Sequence, residues 1–317
     1  MLKKSALSLA VTALLQTASP LAAQNFPAQP IQIVVPFDAG GANDLAARAI
    51  QPALTKALGQ PVVVLNKPGA GGGLGVTEVM RARADGYTLL MLPSNNLIYE
   101  PNFKKTAYDT ETFDYICRIF VVPITLAISP TAPFKDVPGM LKFAKENPSK
   151  ILYGTPAIGG INHVSLLALQ KATGTQMTRV PFQGAAPAMQ ALASGQIHVS
   201  VDTPTTIKNA NLTPAAVFTH RRAPETPETP TFRELGIDLI EFVGFAGLVA
   251  PKGLPAAART ALESACATTM KDPETLATLQ RLNLRPDYLD ASAYKSNAAL
   301  TFKVVGEALR EAGIVAQ

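Results

Sequence analysis

The stretch Ile31–Arg48, I-Q-I-V-V-P-F-D-A-G-G-A-N-D-L-A-A-R, decides how the chain is read. It opens with an almost unbroken apolar run rich in β-branched residues, the pattern of a strand buried on both faces. Pro36 ends the run because it has no N–H to give a central ladder. Gly40 and Gly41 allow a tight turn. Asn43 or Asp44 is the expected N-cap of the following helix, with Leu45, Ala46, Ala49 and Ile50 on its apolar face. A strand–glycine turn–helix unit gathers unpaired N–H groups and the positive end of a helix dipole around one small volume. Such a place suits an anion, and a carboxylate is the simplest one.

Upstream, Lys3 and Lys4 precede a short apolar core, Ala6–Leu15, and a small-residue exit, Pro20-Leu21-Ala22-Ala23. Residues 1–23 read as a secretory signal peptide cleaved after Ala23, since the apolar run is about half the ~20 residues a transmembrane anchor needs. Its loss removes two lysines and no acids, taking the formal charge from +5 to +3. That balance, with no basic block interleaved with aromatics, disfavours a nucleic-acid partner. Without tryptophan a carbohydrate-stacking platform is also disfavoured. Cys117 and Cys266 are the only cysteines. In an exported protein they either pair or lie as small buried hydrophobes, Cys117 in a strand and Cys266 on an apolar helix face, and sequence alone does not give the connectivity. No Cys/His cluster has metal-site spacing, and no cofactor is expected.

Downstream, strand and helix alternate. Pro61–Asn66 is a second buried strand, followed by the glycine loop Gly69–Gly73 and a helix from about Leu74 to Arg83. Tyr87–Leu92 is a third strand, ending at Ser94-Asn95-Asn96. In a parallel sheet all three loops open on the carboxyl edge, where α/β proteins bind ligands. A second series starts near Val122, with strands at Ile124–Ser129, Ile151–Gly154, Arg179–Phe182, Val199–Asp202 and Ala215–Thr219. Helical patterns lie between them at Pro138–Glu146, Asn162–Thr173 and Ala186–Ala193. Gly159 and Gly160 repeat the glycine-turn design with Asn162 as the expected cap, and Gly184 does so again. Arg221–Pro230 reads as a surface loop, and Phe245–Ala250 as a strand. The C-terminal part reads as helices at Ala256–Met270, Pro273–Leu282 and Ala291–Ala312. The expected organisation is two α/β lobes, 24–123 with 246–317 and 124–245, joined by two crossovers around a cleft.

Five separated motifs carry a resemblance: P-I-Q-I-V-V-P-F-D-A-G-G-A-N-D-L-A-A-R, V-V-V-L-N-K-P-G-A-G-G-G-L-G, A-D-G-Y-T-L-L, V-P-F-Q-G-A-A-P-A-M-Q-A-L-A-S-G-Q-I-H and P-E-T-P-T-F-R-E-L-G. Together they resemble the Bug family, the extracytoplasmic solute receptors of tripartite tricarboxylate transporters, over nearly the whole mature chain. The resemblance implies a periplasmic-binding-protein type II fold. It also implies a monomer in the periplasm that binds a small carboxylate (dicarboxylate, amino acid or aromatic acid) and hands it to membrane components of the transporter. It carries over the first-loop positions Phe37, Ala39, Gly40 and Gly41, with Asp44 as a structural cap. On the same wall it places Gly71, Gly72, Ser94 and Asn95. The second lobe would contribute Thr155, Gly160, Asn162, His163, Gly184, Ala185 and Asp202. Asp38, Asn95-Asn96 and Gln183 depart from the family pattern, and Asp38 is either a ligand contact or a solvated acid.

Plainer readings stand beside these. Glycines at strand–helix turns are often only geometric, Asp202 suits an Asx-turn, and His163 suits an ordinary helix-face histidine that can donate one hydrogen bond. The enzyme alternatives are weaker. In a G-x-G-x-x-G reading of the Gly69 loop the third glycine falls on Leu74 or Val76, and no P-loop or G-x-S-x-G elbow is present. An exported hydrolase of small esters or amides would need a nucleophile beside a base, and His163, His198 and His220 are far apart in the chain. A ligand-sensing co-receptor is the other alternative. Sequence does not identify the acid.

Overall fold

The computed structural model describes residues 26–155, 158–182, 184–311 and 313, so the signal segment with its cleavage point and Gln183 lie outside the described residues. In chain order the elements are β1 (Ile31–Val35), α1 (Ala42–Leu58), β2 (Val62–Asn66), α2 (Gly73–Met80) and β3 (Thr88–Pro93). A π-helical turn over Asn95–Tyr99 leads into α3 (Glu100–Phe103), followed by β4 (Phe113–Pro123). Next come β5 (Thr125–Ile128), α4 (Val137–Glu146), β6 (Leu152–Thr155), α5 (Ile161–Thr173) and β7 (Thr178–Pro181). They are followed by α6 (Ala185–Ala193), β8 (Val199–Asp202), α7 (Pro204–Asn209) and β9 (Pro214–Val217). The chain ends with β10 (Val243–Pro251), α8 (Ala256–Thr269), α9 (Pro273–Arg281), β11 (Arg285–Asp290) and α10 (Ala291–Glu311).

Two sheets result, a six-stranded one in the order β11-β4-β10-β3-β1-β2 and a five-stranded one in the order β7-β6-β8-β5-β9. β1 lies between β2 and β3, parallel to both, in line with its nearly continuous apolar run, in which Gln32 alone is exposed. Its fully buried Ile31, Ile33 and Val35 pack with Ala46, Ile50 and Leu54 of α1 in one apolar cluster. β6 is likewise parallel to β7 and β8. The carboxyl ends of β1, β2, β6 and β7 carry the glycine turns, and those of β3 and β8 run into Ser94-Asn95-Asn96 and Thr203-Pro204 on the same edges. No helix among the described residues is long and apolar enough to cross a membrane.

The sheets communicate at two adjoining crossovers. β4 runs through Ile124 into β5, and the chain returns at Phe242–Val243, with Val243 opposite Pro123. Phe218 ties the two together, donating its N–H to Ile124 O (3.0 Å) and accepting from Phe242 N (3.0 Å). Across the molecule α5 packs on α10, and Lys171 pairs with Glu311 at 2.6 Å.

Several expectations are corrected. β4 runs the full length Phe113–Pro123 around the Cys117 that was expected in a strand, while the edge strand β11 lies outside the expected strands; β11 pairs with β4 through only four residues and is interrupted by a bulge, so it has little periodicity to read. The helix N-caps are Gly41 and Gly160 in place of Asn43 or Asp44 and Asn162. Cys117 on β4 and Cys266 on α8 form a disulfide, with Cα atoms 6.6 Å apart. Both places match the plainer reading, strand and apolar helix face, yet packing α8 on β4 brings the sulfurs together.

Candidate functional site

The β1–α1 and β6–α5 turns are built the same way. The first reads Gly40-Gly41-Ala42-Asn43-Asp44 and the second Gly159-Gly160-Ile161-Asn162-His163. The first glycine of each is left-handed (φ +85° and +73°), and the second is an extended N-cap (φ/ψ −77°/166° and −71°/167°). Four residues after the first glycine a buried side chain reaches back to its N–H. Asp44 Oδ2 accepts from Gly40 N at 2.9 Å, and His163 Nδ1 accepts from Gly159 N at 3.1 Å. The side chain at the third helical position thus reaches back past the N-cap to the residue before it, one residue further than in a capping box. It leaves the N–H groups of Ala42 and Asn43, and of Ile161 and Asn162, ahead of the first intrahelical bonds to Gly41 O and Gly160 O.

In the first turn, Asp44 is 2 % exposed and also receives Arg48 Nε (3.0 Å) and Asn66 Nδ2 (3.0 Å). Burial alone would raise its pKa. Hydrogen bonds from Arg48, Gly40 and Asn66, with the Arg48 charge, outweigh that and hold it below the usual carboxylate value. Asn66 Nδ2 also donates to Phe37 O (3.1 Å), so one amide fixes both ends of the loop. Asp38, Ala39, Gly40 and Gly41 are exposed along it, and Phe37 is half-buried. A Cβ at Gly72 (φ +95°) would stand 2.9 Å from Asn96 Oδ1 and 3.0 Å from Phe37 Cζ. The loops after β1, β2 and β3 thus converge on Gly72, with Gly71 exposed at the rim.

Asn96 is the residue that sequence reading missed here. Asn95 is exposed at the start of the π-helical turn, whereas Asn96 is fully buried. Asn96 Nδ2 donates to Gly71 O (2.9 Å) and Glu100 Oε2 (2.6 Å), and Tyr108 OH donates to the same Glu100 oxygen (2.8 Å). Its Oδ1 has no partner among the described residues. The Asn-Asn pair was a visible signal, but the π-turn decides which amide faces inward. Ser94 is buried, and its Oγ accepts from Phe245 N (3.2 Å) at the start of the return crossover.

In the second turn, His163 is 3 % exposed and stacks on Tyr153 at 6.1 Å between ring centroids. Burial, helped by the Arg179 charge, lowers its pKa to about 4, so the ring is neutral. With Nδ1 accepting, the proton of the neutral ring is on Nε2. Asn162 Nδ2 donates to Val201 O, tying α5 to the end of β8. Thr155 is fully buried and its Oγ1 accepts from Arg179 Nε at 2.6 Å. Gly184 (φ +126°) caps α6 ahead of Ala185. Asp202 Oδ1 accepts the Thr203 N–H at 2.8 Å, and burial raises its pKa against the opposing Thr203 and Thr206 hydrogen bonds. These residues share the carboxyl edge of the second sheet. The two edges meet where Gly159 lies under Phe103, since a Cβ there would fall 2.3 Å from the Phe103 ring. Five grooves on the surface of the described residues lie elsewhere, for example a 490 Å³ groove between α1 and the α8–α9 pair, and of the expected positions these five touch Ala185 alone.

The profile of the tripartite tricarboxylate transporter family receptors matches residues 46–314. A Cupriavidus necator protein encoded in the gbd 5′ region is 32 % identical over 95 % of this chain and 93 % of its own. Protein BugT of Bordetella pertussis is 31 % identical over 74 % of each. Among solved structures, a ligand-free TctC solute-binding protein from Polaromonas aligns over 90 % of this chain and 99 % of its own, with a TM-score of 0.79 and 28 % identity. A Rhodopseudomonas palustris protein solved with adipate aligns over 92 % and 100 %, with a TM-score of 0.74 and 26 % identity. MatC of that organism, with bound malate, aligns over 90 % and 100 %, with a TM-score of 0.71 and 25 % identity.

Proposed function

This chain belongs to the family of tripartite tricarboxylate transporter receptors, the Bug-type solute-binding proteins, and from that premise we propose that it captures a small carboxylate between its two lobes in the periplasm and delivers it unchanged to the membrane components of such a transporter. Among its structural relatives, one was solved with adipate and another with malate. The observation that carries the proposal is the pair of matched glycine turns, each presenting free first-turn N–H groups from the carboxyl edge of its sheet. In this reading the lobes divide at the crossovers near 123 and 245. Phe37, Asp38, Ala39, Gly40, Gly41, Gly71, Gly72, Ser94 and Asn95 belong to one wall. Thr155, Gly160, Asn162, His163, Gly184, Ala185 and Asp202 belong to the other.

Magnitudes require both walls. A helix-end contact contributes about 0.3–1 kcal/mol to an anion, and up to ~2 when partly buried. A micromolar Kd needs about 8 kcal/mol. One turn falls short, and closure must add the second together with exclusion of water.

The test is native mass spectrometry of the exported protein as isolated, followed by thermal shifts with adipate, malate, aspartate, nicotinate and benzoate. A ligand at a hundred times its Kd stabilises by about 2.7 kcal/mol, a shift of several degrees. Recovery of the acid unchanged completes the case. Absence of any shift, or turnover of an ester or amide substrate, would refute it.

A further inference from the structure

The two turns carry different charge. In the first, the reach-back group is the Asp44 carboxylate, balanced by Arg48 at 3.0 Å, so the pair adds no net charge. In the second it is a neutral imidazole. Beside that imidazole, Arg179 reaches along the edge strand β7. Its register partner is Tyr153, and its Nε bonds to Thr155, two residues further towards the turn. The guanidinium therefore points to the same end of the sheet as the N-terminus of α5.

Arg179 is half-buried, and burial lowers its pKa from the usual guanidinium value with only Tyr153 acting against that. Among the described residues no carboxylate lies within ion-pair distance of it, whereas Arg48, Arg118, Arg222, Arg233 and Arg259 each have one. A desolvated cation next to a positive helix end, without a counter-charge, is costly for the empty protein. Nε is already spent on Thr155. The two terminal nitrogens remain as a planar fork suited to one carboxylate.

We propose that Arg179 is the specificity-determining residue of the cleft: it pairs with a carboxylate on the second turn while another carboxylate of the same ligand lies on the first, so the protein selects acids bearing two carboxylates over acids bearing one. The inference rests on the carboxylate-binding reading above and adds a ligand class to it. The first turn, where Arg48 balances Asp44 and the remaining charge is the exposed Asp38, has no cation free for the ligand; it offers backbone amides and tolerates either kind of acid end. The second supplies the charge that an ester or amide end fails to satisfy.

The experiment is isothermal titration calorimetry of straight-chain diacids from succinate to adipate, and of malate, each against its monomethyl ester. Wild type is compared with Arg179→Gln and Arg179→Lys, with circular dichroism confirming the fold. A charge-assisted hydrogen bond is worth about ten- to a hundredfold in affinity. Wild type should prefer a diacid over its ester by at least about tenfold. Arg179→Gln should bring the ratio to within about threefold, and Arg179→Lys should keep part of it because the charge remains. An unchanged ratio in both variants, or a wild type that binds ester and diacid alike, overturns the inference and leaves the carboxylate-binding reading standing. A wild type that binds no acid of either kind overturns both.

Discussion

Replacing Asp44 by asparagine tests the construction of the first turn, because no orientation of the new amide can satisfy the groups around it. In the native turn Oδ1 receives Arg48 Nε and Asn66 Nδ2, and Oδ2 receives Gly40 N and Arg48 Nε. If the substituted amide puts its nitrogen in the Oδ1 place, that nitrogen meets two donors. If it puts the nitrogen in the Oδ2 place, it meets the Gly40 N–H. Asn66 can escape by turning its own amide, but its bond to Phe37 O is then lost. One or two charge-assisted hydrogen bonds disappear in every arrangement, at about 1.5–3 kcal/mol each. Arg48 is half exposed and regains water, which offsets part of the loss. The expected destabilisation is about 2–4 kcal/mol, read as a lower urea midpoint at unchanged slope.

The pH dependence gives this prediction its sharpest form. The folded pKa of Asp44 is depressed, so the stability it contributes is fully present above the unfolded value near 3.8 and is lost as pH falls through the lower folded value. The gap between wild type and Asp44→Asn should be constant at neutral pH and close below pH ~4. Affinity for the bound acid should fall by about tenfold, since the Phe37–Gly41 backbone loses its anchor. A penalty below ~1 kcal/mol, or a gap that does not close in acid, would refute the reasoning.

Three further outcomes follow. A Cβ at Gly41 meets only Asp38 O at 3.6 Å and the backbone there is not left-handed, so Gly41→Leu should keep its melting temperature within a degree or two while calorimetry shows acid binding lost. The imidazole of His163 is neutral down to about 4 when folded, against 6.5 when unfolded, so the unfolded chain binds the extra proton between those values. Stability should therefore rise with pH from about 4 to 6.5, and His163→Gln should flatten that slope in urea titrations at stepped pH. The Cys117–Cys266 bridge closes a loop with a sequence separation of 149. Replacing both by serine should cost about 3–5 kcal/mol, and reductant should lower the wild-type denaturation midpoint but leave the variant's unchanged.

Much of the fold was legible because its signals are local. A run of I and V broken by a single Gln32 has one common reading, a strand in the interior of a sheet, and the parallel pairing of β1 with β2 and β3 agrees with it. Left-handed positions such as Gly40, Gly72 and Gly159 are visible because other residues rarely adopt them. What stayed hidden depends on arrangement in space. An N-cap expectation built on side-chain oxygens looks for Asn43, Asp44 or Asn162, and the chain instead places glycine at the cap and reaches back with Asp44 or His163. The two turns share the spacing G-G-x-N with a hydrogen-bond acceptor next, but Asp and His are not alike as letters. Arg179 in T-R-V-P reads as an ordinary surface charge on an edge strand, and only the sheet order sets it beside Thr155 and His163. The choice of Asn96 over Asn95 is made by one extra residue per turn in the π-helix.

The two turns differ both in charge and in what packs on them. The first turn, with Asp44 paired to Arg48 and Asp38 exposed, attracts an anion only through the short-range field of its N–H groups, which fades within the first helical turn. The second adds the Arg179 cation, which has no carboxylate within ion-pair distance among the described residues. Phe103 packs over Gly159 of that second turn. The contact joins α3, which follows the third strand end of one lobe, to the backbone of the charged turn in the other. A Cβ at 159 would fall 2.3 Å from the Phe103 ring, so the ring keeps this place only beside a glycine and must otherwise shift. The left-handed Gly159 thus meets a local backbone demand and a long-range packing demand at once, while its counterpart Gly40, with nothing within 4 Å of its Cβ position, meets only the backbone one.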